Sequence, residues 1–440
     1  MVKGRLLLLG ALLFALTLTG LVGSAGAAGE TVRVLSITGP VTPAMVSYFE
    51  RGISMAEREG AMAVIIQLDT PGGQLDLMLD IVQAFRAAQV PVIVYVAPRG
   101  AQAASAGAII TLAAHAAVMA PETVIGAASP VSGAGEDLGE TMQRKQVEDL
   151  KATVRGLAER RGEKAVELAE AMIEEAAAVH ANEALEAGLI DLVADDMTEL
   201  LEGLHGLVVE VSGEEMVLTT AGAAVLDVPP NAIEQLMHTV VNPTIVAVLM
   251  AIGVQAVLLE LSSPGGWVAG FVGVVCLALG FYGLGVLPVN WLGLGLVGVA
   301  FVLFILEIKA PTHGALTGAG VVTLIAGFLI MFNYPGSPEF AQVSVPVVVG
   351  IALIMGAFFA FVLAKVLGAH RRQPVTGMEA LIGAVAEVRV PLTPVGSVFV
   401  SGERWRAVSE DGSDIPAGIL VKVVESERFR LRVRPVDNDG

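Results

Sequence analysis

The chain has 440 residues, 54% hydrophobic and 16% charged, with 44 acidic side chains against 26 basic ones and a net charge of −18. That balance is too apolar for an ordinary soluble protein and too acidic to offer the basic footprint that nucleic acid requires. A single cysteine, Cys276, lies inside an apolar run and excludes an intrachain disulfide or a cysteine-held metal cluster. Chemistry therefore falls to hydroxyls, carboxylates, amines or the six histidines, and no cofactor or metal is expected.

The chain begins with Lys3 and Arg5, runs apolar from 6 to 22, and passes into Gly23-Ser-Ala-Gly-Ala-Ala28. A basic start, an apolar stretch and small residues before a polar chain read as a signal peptide over 1–28, cleaved after Ala27 or Ala28; an uncleaved anchor is the alternative. In either case the following residues are exported. Residues 30–200 alternate short strands and helices: strands at 32–37, 63–68, 90–96 and 117–120, and helices at 43–59, 75–89, 105–114, 140–161 and 163–175, with a helix and a last strand within 180–193. Such alternation predicts a mostly parallel sheet covered on both faces, with ligands bound outside the carboxyl ends of its strands.

Two small-residue turns follow successive strands in this domain. Asp69-Thr-Pro-Gly-Gly73 ends one, and Gly100-Ala-Gln-Ala-Ala-Ser105-Ala-Gly-Ala108 joins the next to an apolar helix. Ser105 thus stands at a helix N-terminus, where free backbone N–H groups can hold an oxyanion. The candidate donors are Ala106, after the nucleophile, and Gly73; glycine at 72 and 73 lets the backbone approach a substrate closely, making Gly72 a substrate-binding candidate. This pattern suggests a serine hydrolase of the Clp/crotonase type. Tight strand–helix packing alone is the competing explanation.

Past residue 200, a hairpin is expected around Gly213-Glu-Glu and an amphipathic lead-in over 231–241, so 201–242 reads as hairpin and linker. Residues 243–370 form a transmembrane region with about five spans, 243–261, 265–287, 290–308, 314–333 and 345–368; the first two either cross fully or form a shallow hairpin. Lys309 and His313 follow the third span, and Lys365, His370, Arg371 and Arg372 end the fifth, while 333–343 carries no Lys or Arg. Positive-inside logic places the 309–313 loop and the tail in the cytoplasm and the 30–200 domain outside the cell membrane. Glu260 and Glu307, at span ends, read as snorkelling or interhelical groups. The tail, 375–437, carries short β-like runs between Gly, Pro and Asp and suggests a small OB-like barrel, without the aromatic-rich basic surface of a nucleic-acid binder.

A serine nucleophile needs a base. His115 lies too far along the helix that Ser105 starts, His180, His205 and His238 lie outside the turns, and the loop 126–139 has no histidine. A lysine can serve when desolvation lowers its pKa. Lys145 and Lys151 both follow that loop, and spacing does not choose between them.

The segments around Ser105 and Gly73 resemble the nucleophile segment and oxyanion turn of Clp-class serine proteases. Where soluble Clp peptidases carry their histidine, this chain has Val124-Ile-Gly-Ala-Ala-Ser-Pro130. The whole order, exported α/β domain, several spans and small soluble tail, resembles the long-form NfeD family. Asn242-Pro-Thr244, Glu260-Leu-Ser-Ser-Pro-Gly265, Gly285-Val-Leu-Pro-Val-Asn290, Pro374-Val-Thr-Gly377 and Gly402-Glu-Arg-Trp405 match it too. The resemblance implies a Ser-Lys dyad. Its lysine lies near the start of the helix leading into Leu157-Ala-Glu-Arg-Arg-Gly162, which corresponds to Lys145. It also implies an OB-like tail and a stomatin/prohibitin-like membrane protein as partner, with an apolar segment of that partner as substrate. Contact with membrane lipid follows from the spans. A dimer or larger homo-oligomer follows from the habit of Clp-type domains. The rival readings are a non-catalytic scaffold for such a partner and an acyl-CoA enzyme, the latter disfavoured by export away from CoA.

Overall fold

The computed structural model describes residues 31–130, 140–262, 266–310, 312–335, 337–370, 381–427 and 429–436. The signal peptide, the 131–139 part of the expected loop and the Pro374–Gly377 motif fall outside them. Two compact units divide after residue 359.

The first unit opens with β1 (Thr31–Thr38), α1 (Pro43–Glu59), β2 (Ala63–Asp69), α2 (Leu75–Ala87), β3 (Val92–Val96), β4 (Gln102–Ala104), α3 (Ala106–Ala113), β5 (Ala116–Met119) and β6 (Val124–Gly126). It continues through α4 (Glu140–Ala158), α5 (Glu163–Glu174), β7 (Ala178–His180), α6 (Ala181–Glu186), β8 (Leu192–Val193), α7 (Met197–Gly203), β9 (Val208–Val211), β10 (Glu214–Val217), β11 (Ala224–Asp227) and α8 (Ala232–Val240). The main sheet has the order β11-β1-β2-β3-β5-β8, and every pairing in it is parallel. Its strands bury both faces. Val64, Ile66, Leu68, Val92, Val94 and Val96 enter the core formed with α1, α2 and α3, while Ile65, Ile93 and Tyr95 point to the opposite core beneath α7. That double burial explains their continuous apolar runs. A second sheet, β4-β6-β7, stands beside the first.

Two features of this domain depart from the sequence reading. Strand β11 joins β1 at the sheet edge; all four of its residues are exposed, so it carries no apolar alternation and pairs through backbone alone. The three-residue strands β4, β6 and β7 are likewise too short to show a period.

Five apolar helices follow: α9 (Pro243–Ser262), α10 (Val268–Val286), α11 (Trp291–Lys309), α12 (Ala315–Phe332) and α13 (Val345–His370). Among the described residues, Pro243–Leu261, Val268–Val286 and Ala315–Phe332 are long and apolar enough to cross a membrane, and Trp291–Glu307 and Val345–Phe361 are shorter apolar stretches. Helices α9/α10 and α11/α12 form close hairpins. A Cβ added to Gly273 would lie 2.8 Å from Val257 N, and one on Gly327 would lie 2.9 Å from Val297 N, the backbone approach that small residues permit between membrane helices. The carboxylates at the span ends cap the following helices. Glu260 accepts from Trp267 N and Gly270 N at 3.0 and 3.3 Å. Buried Glu307 accepts from Thr312 N, Thr312 Oγ1, Gly314 N, Leu316 N and Thr317 N at 2.7–3.2 Å, filling the orphan donors at the start of α12.

The second unit contains β12 (Val385–Val390), β13 (Val395–Val400), β14 (Glu403–Ser409), β15 (Leu420–Glu427) and β16 (Arg430–Pro435), closed into a barrel in the order β12-β13-β14-β16-β15. Inward-facing Val388, Val398, Ala407, Val421, Leu431 and Val433 fill it.

Candidate active site

The Asp69–Gly73 turn and the Ser105 turn are stitched together through β4. Asp69 Oδ1 accepts from Gln102 N at 3.0 Å, Thr70 N donates to Gln102 O at 2.7 Å, and Ala104 N donates to Thr70 O at 3.0 Å. Small residues are required where these turns meet. Gly72 has φ 105°, and a Cβ there would sit 2.5 Å from Ser105 Cβ and 3.0 Å from its Oγ. A Cβ on Gly107 already meets Thr70 Cγ2 at 2.5 Å. Gly72 N donates to Thr70 Oγ1 at 3.1 Å, and Gly72 O accepts from Val41 N at 2.8 Å, so both backbone groups of Gly72 serve the turn.

Ser105 is the N-cap residue of α3 with φ 53° and ψ −120°, and its side chain does not cap the helix. Its backbone is held by Ser105 N donating to Gly126 O at 2.9 Å and Ala108 N donating to Ser105 O at 3.0 Å. The hydroxyl is left to face a cleft of about 780 Å³ that Gly73 and Ala106 also line. Among the described residues the N–H groups of Gly73 and Ala106 make no hydrogen bond. Ala106 N belongs to the first turn of a helix, where the macrodipole also favours negative charge. The Ser105 hydroxyl and these two N–H groups thus share one concave surface, the arrangement that acyl transfer requires of a nucleophile and its oxyanion donors.

Among the described residues no histidine lines this cleft. His115 is buried, and its Nδ1 accepts from Val92 N at 2.9 Å; burial, aided by the Arg160 cation, pulls it down to about 4. His238 contacts Thr38 O at 2.9 Å and Thr42 Oγ1 at 3.1 Å, His205 Nδ1 accepts from Ala221 N, and His180 is exposed at the start of α6. The two lysines separate clearly. Lys151 pairs with Glu174 and, at 3.9 Å, with Glu170, and the hydrogen bond to Glu174 raises its pKa, which keeps it a cation. Lys145 is exposed on α4 and makes no hydrogen bond to Ser105 among the described residues. The next residue, Gln146, lines the cleft with Leu150 one turn on.

Sequence reasoning did not anticipate the far wall. It comes from the membrane helices: Phe281, Leu284 and Val286 at the end of α10, Trp291 and Leu294 at the start of α11, and Phe340 after α12. Gln74, next to Gly73, donates from Nε2 to Gly285 O and Val286 O at 3.3 and 3.0 Å. The only sequence signal for this contact is a polar residue directly after the glycine pair.

A parallel α/β domain with an uncapped serine at a helix start, beside two N–H donors without a partner among the described residues, has the layout of a serine hydrolase, here a protease. Models of the NfeD1b N-terminal domain, the NfeD integral membrane domain and the NfeD-like C-terminal, partner-binding domain match residues 31–213, 244–365 and 378–435. The chain is 34% identical over 417 residues to the membrane-bound protease PH1510 of Pyrococcus horikoshii, covering 92% of this chain and 93% of that one. It is similar to two solved structures of the N-terminal part of a membrane-bound stomatin-specific protease. A lysine-to-alanine mutant in complex with a substrate peptide is 35% identical, with 48% of this chain and 98% of that one covered and a TM-score of 0.45. A serine-to-alanine mutant is 36% identical, with 46% and 100% covered and a TM-score of 0.43. The chain belongs to the NfeD family and is a membrane protein.

Proposed function

We propose that this protein is a membrane-anchored serine endopeptidase that uses a Ser105–Lys145 dyad to cut apolar segments of a stomatin/prohibitin-like membrane partner. The observation that carries the reading is the unengaged Ser105 hydroxyl beside the free Gly73 and Ala106 N–H groups in an apolar cleft. Ser105 Oγ attacks the scissile carbonyl while neutral Lys145 takes its proton. The oxyanion rests on the two N–H donors, and the lysine ammonium returns a proton to the leaving amine. Lys151 is committed to its carboxylates. Among the described residues Lys145 carries no such partner; it sits beside cleft-lining Gln146 and has a flexible four-carbon stem to reach inward.

The partner follows from the family's C-terminal partner-binding domain and from a relative that is stomatin-specific. The strand order of the barrel, with β14 and β16 parallel, supports the OB-like reading of that domain. The charges at Lys309, Arg371 and Arg372 support a protease domain outside the membrane and a tail in the cytoplasm. A cleaved signal peptide, bound lipid and a homo-oligomer complete the proposal.

The test uses the full chain in detergent micelles with apolar peptides and a serine-reactive phosphonate. Ser105→Ala and Lys145→Ala should each lower cleavage roughly a thousandfold or more, while Lys151→Ala retains it. Full activity in Lys145→Ala with loss in Lys151→Ala would reassign the base. A folded protein whose Ser105 takes no label would favour a scaffold for the same partner.

A further inference from the structure

We infer that the membrane region builds half of the substrate site: the α10–α11 turn forms a subsite for an apolar, extended segment of a membrane-anchored polypeptide. The inference rests on the Ser105 protease reading and specifies what it cuts. The cleft is one continuous space of about 780 Å³, with Ser105, Gly73 and Ala106 on one wall and Phe281, Leu284, Trp291 and Phe340 on the other. Among the described lining residues Asp76 is the sole ionisable one, so an acidic peptide would lose its water there without gaining a partner.

The far wall is fixed in place. Gln74 Nε2 donates to the carbonyls of Gly285 and Val286, which belong to the last turn of α10 and lack N–H donors within the helix. That glutamine follows Gly73 directly, so the Asp69–Gly73 turn and the membrane wall are joined through one residue. On the other side, α8 is clamped to α1 by Arg51 and Glu234, at 2.7 and 2.8 Å, which sets where α9 and α10 enter. Phe281 and Trp291 remain 55% and 69% exposed at the rim of this space. Aromatic residues at a membrane boundary also serve as lipid anchors, and that role predicts no contact with substrate. Continuity with the nucleophile argues for a peptide occupant: an apolar chain lying against Phe281 and Trp291 reaches Ser105 without leaving the cleft.

The test traps a photoreactive apolar peptide in the full-length Ser105→Ala protein and maps the attachment. Crosslinks within 281–294 are expected, together with a drop of about tenfold or more in the preference for apolar over polar peptides, as kcat/KM ratios, in Phe281→Ser and Trp291→Ser proteins carrying Ser105. Both residues are exposed, so these changes leave the packed core intact. Attachment confined to residues 31–242, with an unchanged preference, would overturn the subsite and assign the aromatics to lipid anchoring. Failure of a phosphonate to label Ser105 in the unmodified protein would instead overturn the protease reading itself.

Discussion

Ser105 occupies a backbone conformation that costs a non-glycine residue about 1–3 kcal/mol, and the surrounding contacts explain why it persists. Its N–H and C=O are both hydrogen-bonded, and Gly72 leaves room for its Cβ. Replacing Gly72 with alanine would drive a methyl into Ser105 Cβ and force an unfavourable positive φ. A displacement of this size near the reacting atom should cost about a hundredfold in kcat/KM, read from peptide cleavage; retained activity would show that Ser105 tolerates the shift. His115 gives a second residue-scale expectation. Its folded pKa of about 4 lies below the unfolded value of about 6.5, so the unfolded state binds more protons between those values. Its contribution to stability is complete above about pH 6.5 and falls by up to about 1.4 kcal/mol per pH unit on acidification toward pH 4. Replacing His115 with glutamine should flatten that part of the stability–pH curve in denaturant titrations; an unaltered slope would remove His115 as its source.

At the scale of elements, the junction between protease domain and membrane helices depends on α8. Glu234 caps its own helix through Asn231, accepting from Asn231 N at 2.7 Å, and takes the Arg51 guanidinium in a two-point contact. Arg51 holds the Glu234 carboxyl below the usual range. Arg51→Ala strands a buried carboxylate and should destabilise the protein by about 3 kcal/mol, measured by chemical denaturation in detergent; a change within a few tenths would show that the pair contributes nothing net. The lead-in helix was legible in the sequence from its amphipathic pattern, but its docking was not, because Arg51 and Glu234 are distant along the chain. The same reason kept spacing from choosing between the two lysines. Helical periodicity places Lys145 and Lys151 on α4 without saying which neighbours await them, and only the Glu170 and Glu174 carboxylates of α5 separate the two. That the Gly73 and Ser105 turns close strands on one side of the sheet was legible because small residues after apolar runs mark such turns locally.

Across the whole molecule, three segments with different sequence character became three structural pieces: the parallel sheet, the apolar helices and the closed barrel. That fold class was visible because burial on both faces, membrane-length apolar runs and short alternating strands leave different patterns. The edge strand β11 was not, since an exposed four-residue strand has no pattern beyond its backbone. Nor was the shared cleft, whose walls are separated by more than a hundred residues. The hydrogen bonds from Gln74 to the end of α10 carry one more consequence. Under the proposed function they would hold Ser105 at a set distance from the end of α10, so a peptide bond would be reached only if it stood at that distance when its own anchor was in the membrane. Such an enzyme would select by depth as well as by side chain, as a ruler whose zero is the end of a transmembrane helix.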